Sequence, residues 1–397
     1  MVNYNAFYFP DDVMALLFCC FGIYLAFRIG AKNKFYFRLF LALTGVHIIC
    51  LFFGLIITGG ADARQYYQSA VDMTPASWLA SFGQGTDFIV FFTYPLIHLF
   101  GLSYTGGYIF YSCFGLWGYY FIIKAIDFLI KKYNLLYKKE YFYLLLLPGL
   151  HIWNVAIGKD SLIFFSIALF FAGVLYNKWI WIGFGGALMG LVRSPVLALF
   201  IVGLVFGNIM LNKKISIAQK VFICICAGVL LYLLLPVIEA RLNLENVDYD
   251  SISDTIDQRL SANQAGGSSI DMTNASYPAK VFGFLFRPLF FDAHSGLMLY
   301  SSCENLIWLL MTINVFWNFI TKTFRRRYSA IYFSILMSFL FPVLAQSSTL
   351  SNLGIAVRMK TMYFTPLILM FFLSRDTILR NTIKRRRSRI RRQLAKR

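Results

Sequence analysis

Runs of about 20 apolar residues, the length that carries a helix across a bilayer's hydrocarbon core, recur along almost the whole chain. They are Val13 to Gly30, Leu39 to Ile57, Gly106 to Ile130, Tyr141 to Ile157, Ser161 to Tyr176, Trp179 to Val192, Pro195 to Leu211, Ala218 to Pro236, Leu297 to Ile320, Ala330 to Ala345 and Thr361 to Ser374. The expected fold is therefore all-α: a polytopic integral membrane protein of about eleven transmembrane helices, within a range of about 10 to 13. Composition leaves no soluble alternative, because 59% of the 397 residues are hydrophobic and only 14% charged, with a mean hydropathy of +0.65. The N-terminal apolar run lacks a basic leader and a small-residue cleavage site, so it reads as a retained helix.

Charge orients these spans. With the N-terminus outside, "RIGAKNKFYFR", "KKYNLLYKKE", "NKKISIAQK", "KTFRRRY" and the tail "IKRRRSRIRRQLAKR" all fall on the cytoplasmic side, as the positive-inside rule requires. Phe88 to Leu102, short and carrying Pro95 and His98, preserves this agreement only as a re-entrant or interfacial segment. The reading gives one transmembrane domain over residues 1–374, with long outer loops at 59–105 and 237–296 and a basic cytoplasmic tail at 375–397. The formal charge of +19 then needs no nucleic acid, and the tail is a topology anchor on anionic lipid. Seven cysteines without CxxC or paired histidine spacing indicate neither a metal site nor a disulfide framework.

Five polar motifs converge on the outer side in this topology. "GGADARQYY" offers Asp62, Arg64, Tyr66 and Tyr67, with the acid a general base or hydroxyl ligand unless it is merely solvated. "NVAIGKDSLIFF" brings Lys159 and Asp160, where the acid can cap a helix but topology does not require the lysine. "LMGLVRSPVLALF" holds Arg193 in an apolar run, costly unless it snorkels or faces a partner. "GFLFRPLFFDAHSGLMLYSSCENL" contributes Arg287, Asp292, His294 and Glu304, and "NLGIAVRMK" adds Arg358 and Lys360. Cations gathered against the charge rule imply an anion, and phosphate is the common one at a membrane surface, gripped bidentately by arginine and as a point charge by lysine.

The motifs "IGKDSL", "FLFRPLFFDAHS…ENL" and "SNLGIAVRMKTMYFTPL", in that order, resemble those of the bacterial O-antigen and exopolysaccharide polymerases of Wzy type, related to GT-C-like lipid-linked glycosyltransferases. The resemblance implies transfer of glycan from an undecaprenyl-diphosphate-linked oligosaccharide to a sugar hydroxyl at the outer face of the bacterial inner membrane. It implies neither metal nor other cofactor, and other polysaccharide-assembly membrane proteins as neighbours. On it, Asp62, Asp292 or His294 is the catalytic base, and Arg64, Tyr67, Lys159, Asp160, Arg193, Arg287, Arg358 and Lys360 bind substrate. Two alternatives stay open: a GT-C transferase using a polyprenyl-monophosphate sugar, and a lipid-linked saccharide flippase.

Overall fold

In a computed structural model of the protein the described residues are 12–30, 33–58, 61–211, 215–220, 269–270, 272, 275–321, 329–348, 350 and 352–394. Seven of their helices are long and apolar enough to cross a membrane, and no strand occurs among the described residues, so this is an all-α, multi-pass membrane protein. Most of the predicted Ala218 to Pro236 span lies outside the described residues.

In chain order the helices are α1 (Val13–Gly30), α2 (Lys34–Phe53), α3 (Ala61–Val71), α4 (Pro75–Ala80), α5 (Thr86–His98), α6 (Tyr104–Tyr133), α7 (Pro148–Ile152), α8 (Lys159–Tyr176), α9 (Trp179–Leu211), α10 (Tyr277–Phe286), α11 (Gly296–Ile320), α12 (Ser329–Ser347), α13 (Leu353–Lys360) and α14 (Phe364–Leu394). The chain packs as two compact units, Met1–Ala198 with Thr361–Arg397, and Leu199–Lys360, where the sequence reads as one domain.

In the first unit, side-chain pairings fix the direction of every crossing. Phe18 of α1 packs on Phe110 of α6 with ring centroids 4.1 Å apart, and Gly22 faces Trp117, so α1 and α6 run the same way. Helix α2 runs against them: the Tyr36 hydroxyl donates to Asp127, and Gly54, just past the helix end, faces Tyr108. Helix α8 runs with α6, since Phe164 packs on Gly118 and the Tyr176 hydroxyl donates to the Lys124 carbonyl. Asn134 and Asn177, in the left-handed region, close α6 and α8.

Two parallel helices joined in sequence require the chain to recross between them. Residues 139–157 do so as a broken span, a 3-10 stretch at Lys139–Leu146 followed by α7 and irregular backbone. Phe142 packs on Phe35 and Tyr36 at the start of α2, while Val155 packs on Leu51 and against Gly54, about 27 Å further along that helix. The predicted Tyr141 to Ile157 crossing is thus present, but irregular. Such backbone survives at membrane depth only when enclosed by protein, and Phe142, Leu145, Leu150, His151, Asn154 and Val155 are all buried. His151 anchors it: Nε2 faces the Leu145 carbonyl, Nδ1 lies 3.0 Å from His47 Nδ1, and the ring stacks on Tyr119.

Helix α5 does not cross. Thr86 at its start meets Lys159 at the start of α8, and its end leads within a few residues to the start of α6, so it enters and leaves on one side. Helix α9 leaves helical geometry at Arg193 (φ −152°, ψ 77°). A Cβ on Gly186 would lie 3.9 Å from a Leu197 methyl, whereas eleven residues of straight helix span about 16 Å. The chain therefore turns back on itself at Arg193, which separates the two spans predicted on either side of it. Arg28, Lys34, Arg38, Lys131, Lys132, Arg375 and Arg380 collect at one end of this unit, where α1, α6 and the apolar part of α14 finish and α2 begins.

In the second unit, α10 packs against α11, α12 and α13. The end of α9 meets α12 through Gly203 and Gly207, where an added Cβ would stand 2.4 Å from the Cα atoms of Ser338 and Ser334 respectively. Small residues four apart on both helices let their backbones touch.

Candidate functional site

Polar side chains gather at two places, one in each unit. In the first unit, at the end away from the basic helix ends, the turn at Arg193 meets the first turn of α8 and the loop before α5. Gly85 (φ 71°), in a conformation side chains disfavour, donates its N–H to the Leu191 carbonyl at 2.8 Å and ties that loop to α9. Ser194 donates to Gln84 at 3.1 Å, and Lys159 Nζ to Thr86 Oγ1 at 2.9 Å. Arg193 Nη2 stands 3.6 Å from Asp160 Oδ1, an ion pair too long for a hydrogen bond. The Asp160 side chain is 9% exposed and that of Arg193 23%, while Arg193 Nε is buried without a hydrogen-bond partner. The arginine is therefore held by charge, with hydrogen-bonding capacity left over. Asp160, in the first turn of α8, also suits the positive end of that helix.

Asp62 and Arg64 lie on α3 with exposed side chains. Tyr67 is buried and its hydroxyl donates to the Leu102 carbonyl at 2.9 Å, which gives it a structural task. Tyr66 packs against Gly158, where a Cβ would come within 3.1 Å of its ring.

In the second unit, Arg287 and Asp292 form a bidentate pair. Arg287 Nε lies 3.0 Å from one carboxylate oxygen, its Nη2 reaches the other, and the Leu289 N–H donates at 2.8 Å. Burial pushes the Asp292 carboxyl up, but the hydrogen bonds from Arg287 and Leu289, with the charges of Arg287 and His294, outweigh it and leave the group below the usual carboxylate range. A carboxylate so occupied is a poor proton acceptor. His294 is exposed. Lys360 turns inward, 3% exposed: its ammonium donates to Asn305 Oδ1 and lies 5.7 Å from the Trp308 ring, and Asn305 in turn donates to the Pro288 carbonyl. Glu304, buried one residue away, accepts from the Tyr300 hydroxyl. Arg358 is half-buried in the last turn of α13.

The structure thus brings Lys159, Asp160 and Arg193 together in one unit, and Arg287, Asp292 and Lys360 around Pro288 and Asn305 in the other. Gln84, Thr86, Ser194, Tyr300 and Asn305 join these clusters without having stood out in the sequence. Only "GQGT" ahead of an apolar helix hints at the first two. Comparison of the chain with protein-family models, with curated proteins and with solved structures finds no match.

Proposed function

We propose that the protein is a membrane glycosyltransferase of the polysaccharide-polymerase type. It transfers glycan from a polyprenyl-diphosphate-linked donor to a sugar hydroxyl at the outer face of a bacterial cytoplasmic membrane, with the basic helix ends and C-terminus inside and the N-terminus outside. The observation that carries the reading is Arg193, set at the break of α9 beside Lys159, away from the basic ends, with its Nε unpaired. A guanidinium held by a carboxylate at 3.6 Å keeps donors for an anionic ligand. In this reading Arg193 and Lys159 stabilise the charge that grows on the diphosphate as the glycosidic bond breaks, and Asp160 positions Arg193. In the second unit, Arg287, held by Asp292, and Arg358 are the substrate-binding residues of this reading. Asp62 and His294 keep exposed side chains, so the proton acceptor is drawn from these two.

The test is complementation of surface glycan length by Arg193→Ala, Arg287→Ala and Arg358→Ala, each checked for membrane expression. Collapse to single-repeat material, with lipid-linked units accumulating outside, is expected. Full-length polymer from all three variants overturns the assignment; accumulation on the inner face makes the protein a transporter; and turnover of a purified monophosphate-linked sugar instead makes it a single-sugar transferase.

A further inference from the structure

Two cavities in the first unit, one along its helices and one at the basic end away from Arg193, carry a separate inference. The first, of about 490 Å³, is an apolar cleft between α1, α2 and α6, lined from Phe37 on α2 to Leu55 in the turn that continues it, a length of about 27 Å, and on α6 by residues such as Ile109, Cys113 and Trp117. A bilayer's hydrocarbon core is about 30 Å thick, so the cleft follows most of it. The second, of about 620 Å³, is lined by Arg28, Lys124, Lys131 and Lys132 against the single acid Asp127, a net charge of three positives. Asp127 already receives Lys131 at 2.6 Å and the Tyr36 hydroxyl at 3.1 Å.

Helical spacing sets the two cavities in succession along the same faces of α1 and α6. On α6 the cleft residues Ile109, Cys113 and Trp117 are followed on the same face, at steps of three and four, by Tyr120, Lys124, Asp127 and Lys131. On α1, Gly22 and Ala26 of the cleft are followed by Ile29 of the basic cavity. Aromatic rings bracket the cations: Lys124 Nζ lies 5.9 Å from the Tyr120 ring and 5.8 Å from that of Tyr176, and Arg28 lies 5.8 Å from Tyr24. An apolar slot at membrane depth followed by a cationic, aromatic-lined pocket at the membrane surface has the two halves of an anionic lipid as its complement.

We propose that the two cavities together bind an anionic phospholipid, its phosphate on Arg28, Lys124 and Lys132 and one acyl chain in the cleft. The site is independent of the glycosyl-transfer reading. The experiment measures equilibrium binding of phosphatidylglycerol, phosphatidylcholine and inorganic phosphate to the full-length protein in detergent. It also uses phosphatidylglycerol brominated on its chains to quench Trp117, with Trp117→Phe as the control.

Preferential binding of phosphatidylglycerol with quenching at Trp117 is expected. Arg28→Gln/Lys124→Gln/Lys132→Gln should weaken it on the order of a hundredfold, at about fivefold per cation. Thr44→Phe, which fills the cleft while losing only a hydroxyl bond to its own helix at Phe40, should remove the quenching. Equal binding of phosphatidylcholine overturns the proposal by removing the role of charge, and equal competition by inorganic phosphate overturns it by removing the chain. Because Arg28→Lys/Lys124→Arg/Lys132→Arg keeps the charge, it should bind as wild type does; if it loses binding as the glutamine variant does, the charge argument fails.

Discussion

Gly203→Ala is the sharpest test of the packing described above. In the second unit the new Cβ would lie 2.4 Å from the Ser338 Cα and nearly as close to the Ser338 nitrogen and the Met337 carbonyl oxygen. All three are backbone atoms, so no rotamer change relieves the contact. Restoring an ordinary separation of about 3.5–4.0 Å moves the two helices apart by about 1 Å or more, a gap that forfeits a quarter to a half of each neighbouring contact's attraction. Overpacking of this kind costs about 1–3 kcal/mol. Gly207→Ala repeats the clash at Ser334 Cα, and since one separation relieves both, the double variant should cost less than the two singles together. Gly45→Ala and Gly183→Ala are the controls: a Cβ at either meets nothing within 4 Å, so alanine's helix preference should leave stability unchanged or raise it by up to about 1 kcal/mol. Reversible unfolding in mixed detergent micelles measures all five variants. If Gly203→Ala is as stable as Gly183→Ala, the close approach of α9 and α12 is wrong.

Tyr67→Phe removes one hydroxyl bond to Leu102 and should cost about 0.5–1.5 kcal/mol in the same unfolding assay while leaving glycan length unchanged; lost polymer at normal stability would return Tyr67 to the site. Lys360→Met leaves Asn305 Oδ1 without its donor in a buried setting, and a loss of about 1–3 kcal/mol is expected, read as a fall in unfolding midpoint. Because Asp292 is held below its usual value of 3.8, its stabilising contribution is complete above that pH and fades as pH falls through the lowered value; unfolding midpoints of wild type and Asp292→Asn should differ at neutral pH and converge in acid. Asp160→Asn removes the charge that positions Arg193, so polymer should shorten while Asp160→Glu retains part of the length; equal lengths for both would leave Asp160 with only its place at the positive end of α8.

Apolar runs record the thickness of the membrane directly, which is why α2, α6, α8, α11 and α12 and the two halves of α9 stand in the sequence with little ambiguity. Arg193-Ser194-Pro195 also announces a break, since proline disfavours helical geometry in the residue before it. What a run does not record is its hydrogen-bonding pattern. "YFYLLLLPGLHIWNVAI" is as apolar as its neighbours, and only Pro148 and Gly149 hint that its backbone is irregular. The site was legible as residue types but not as partnerships. Nothing in "RPLFFDAH" tells that Asp292 closes back on Arg287 instead of facing solvent, and the inward turn of Lys360 depends on Asn305, 55 residues earlier. His47 and His151, 104 residues apart, are alike invisible as a pair.

The broken crossing has a consequence for how the chain is made. Its walls include α14: Phe372 packs on Phe142 with centroids 4.9 Å apart, Arg375 donates to the Tyr141 hydroxyl, and the Asp376 carboxylate accepts the Leu136 N–H from 240 residues further along. At about 5–20 residues per second, that wall emerges roughly 10–50 s after the segment it covers. An irregular backbone has no stable place in lipid meanwhile, so residues 139–157 must wait at the membrane surface or in the insertion machinery until the C-terminal helix arrives. Maturation of the first unit is then a late event, and a nascent chain stopped short of α14 is a substrate for quality control.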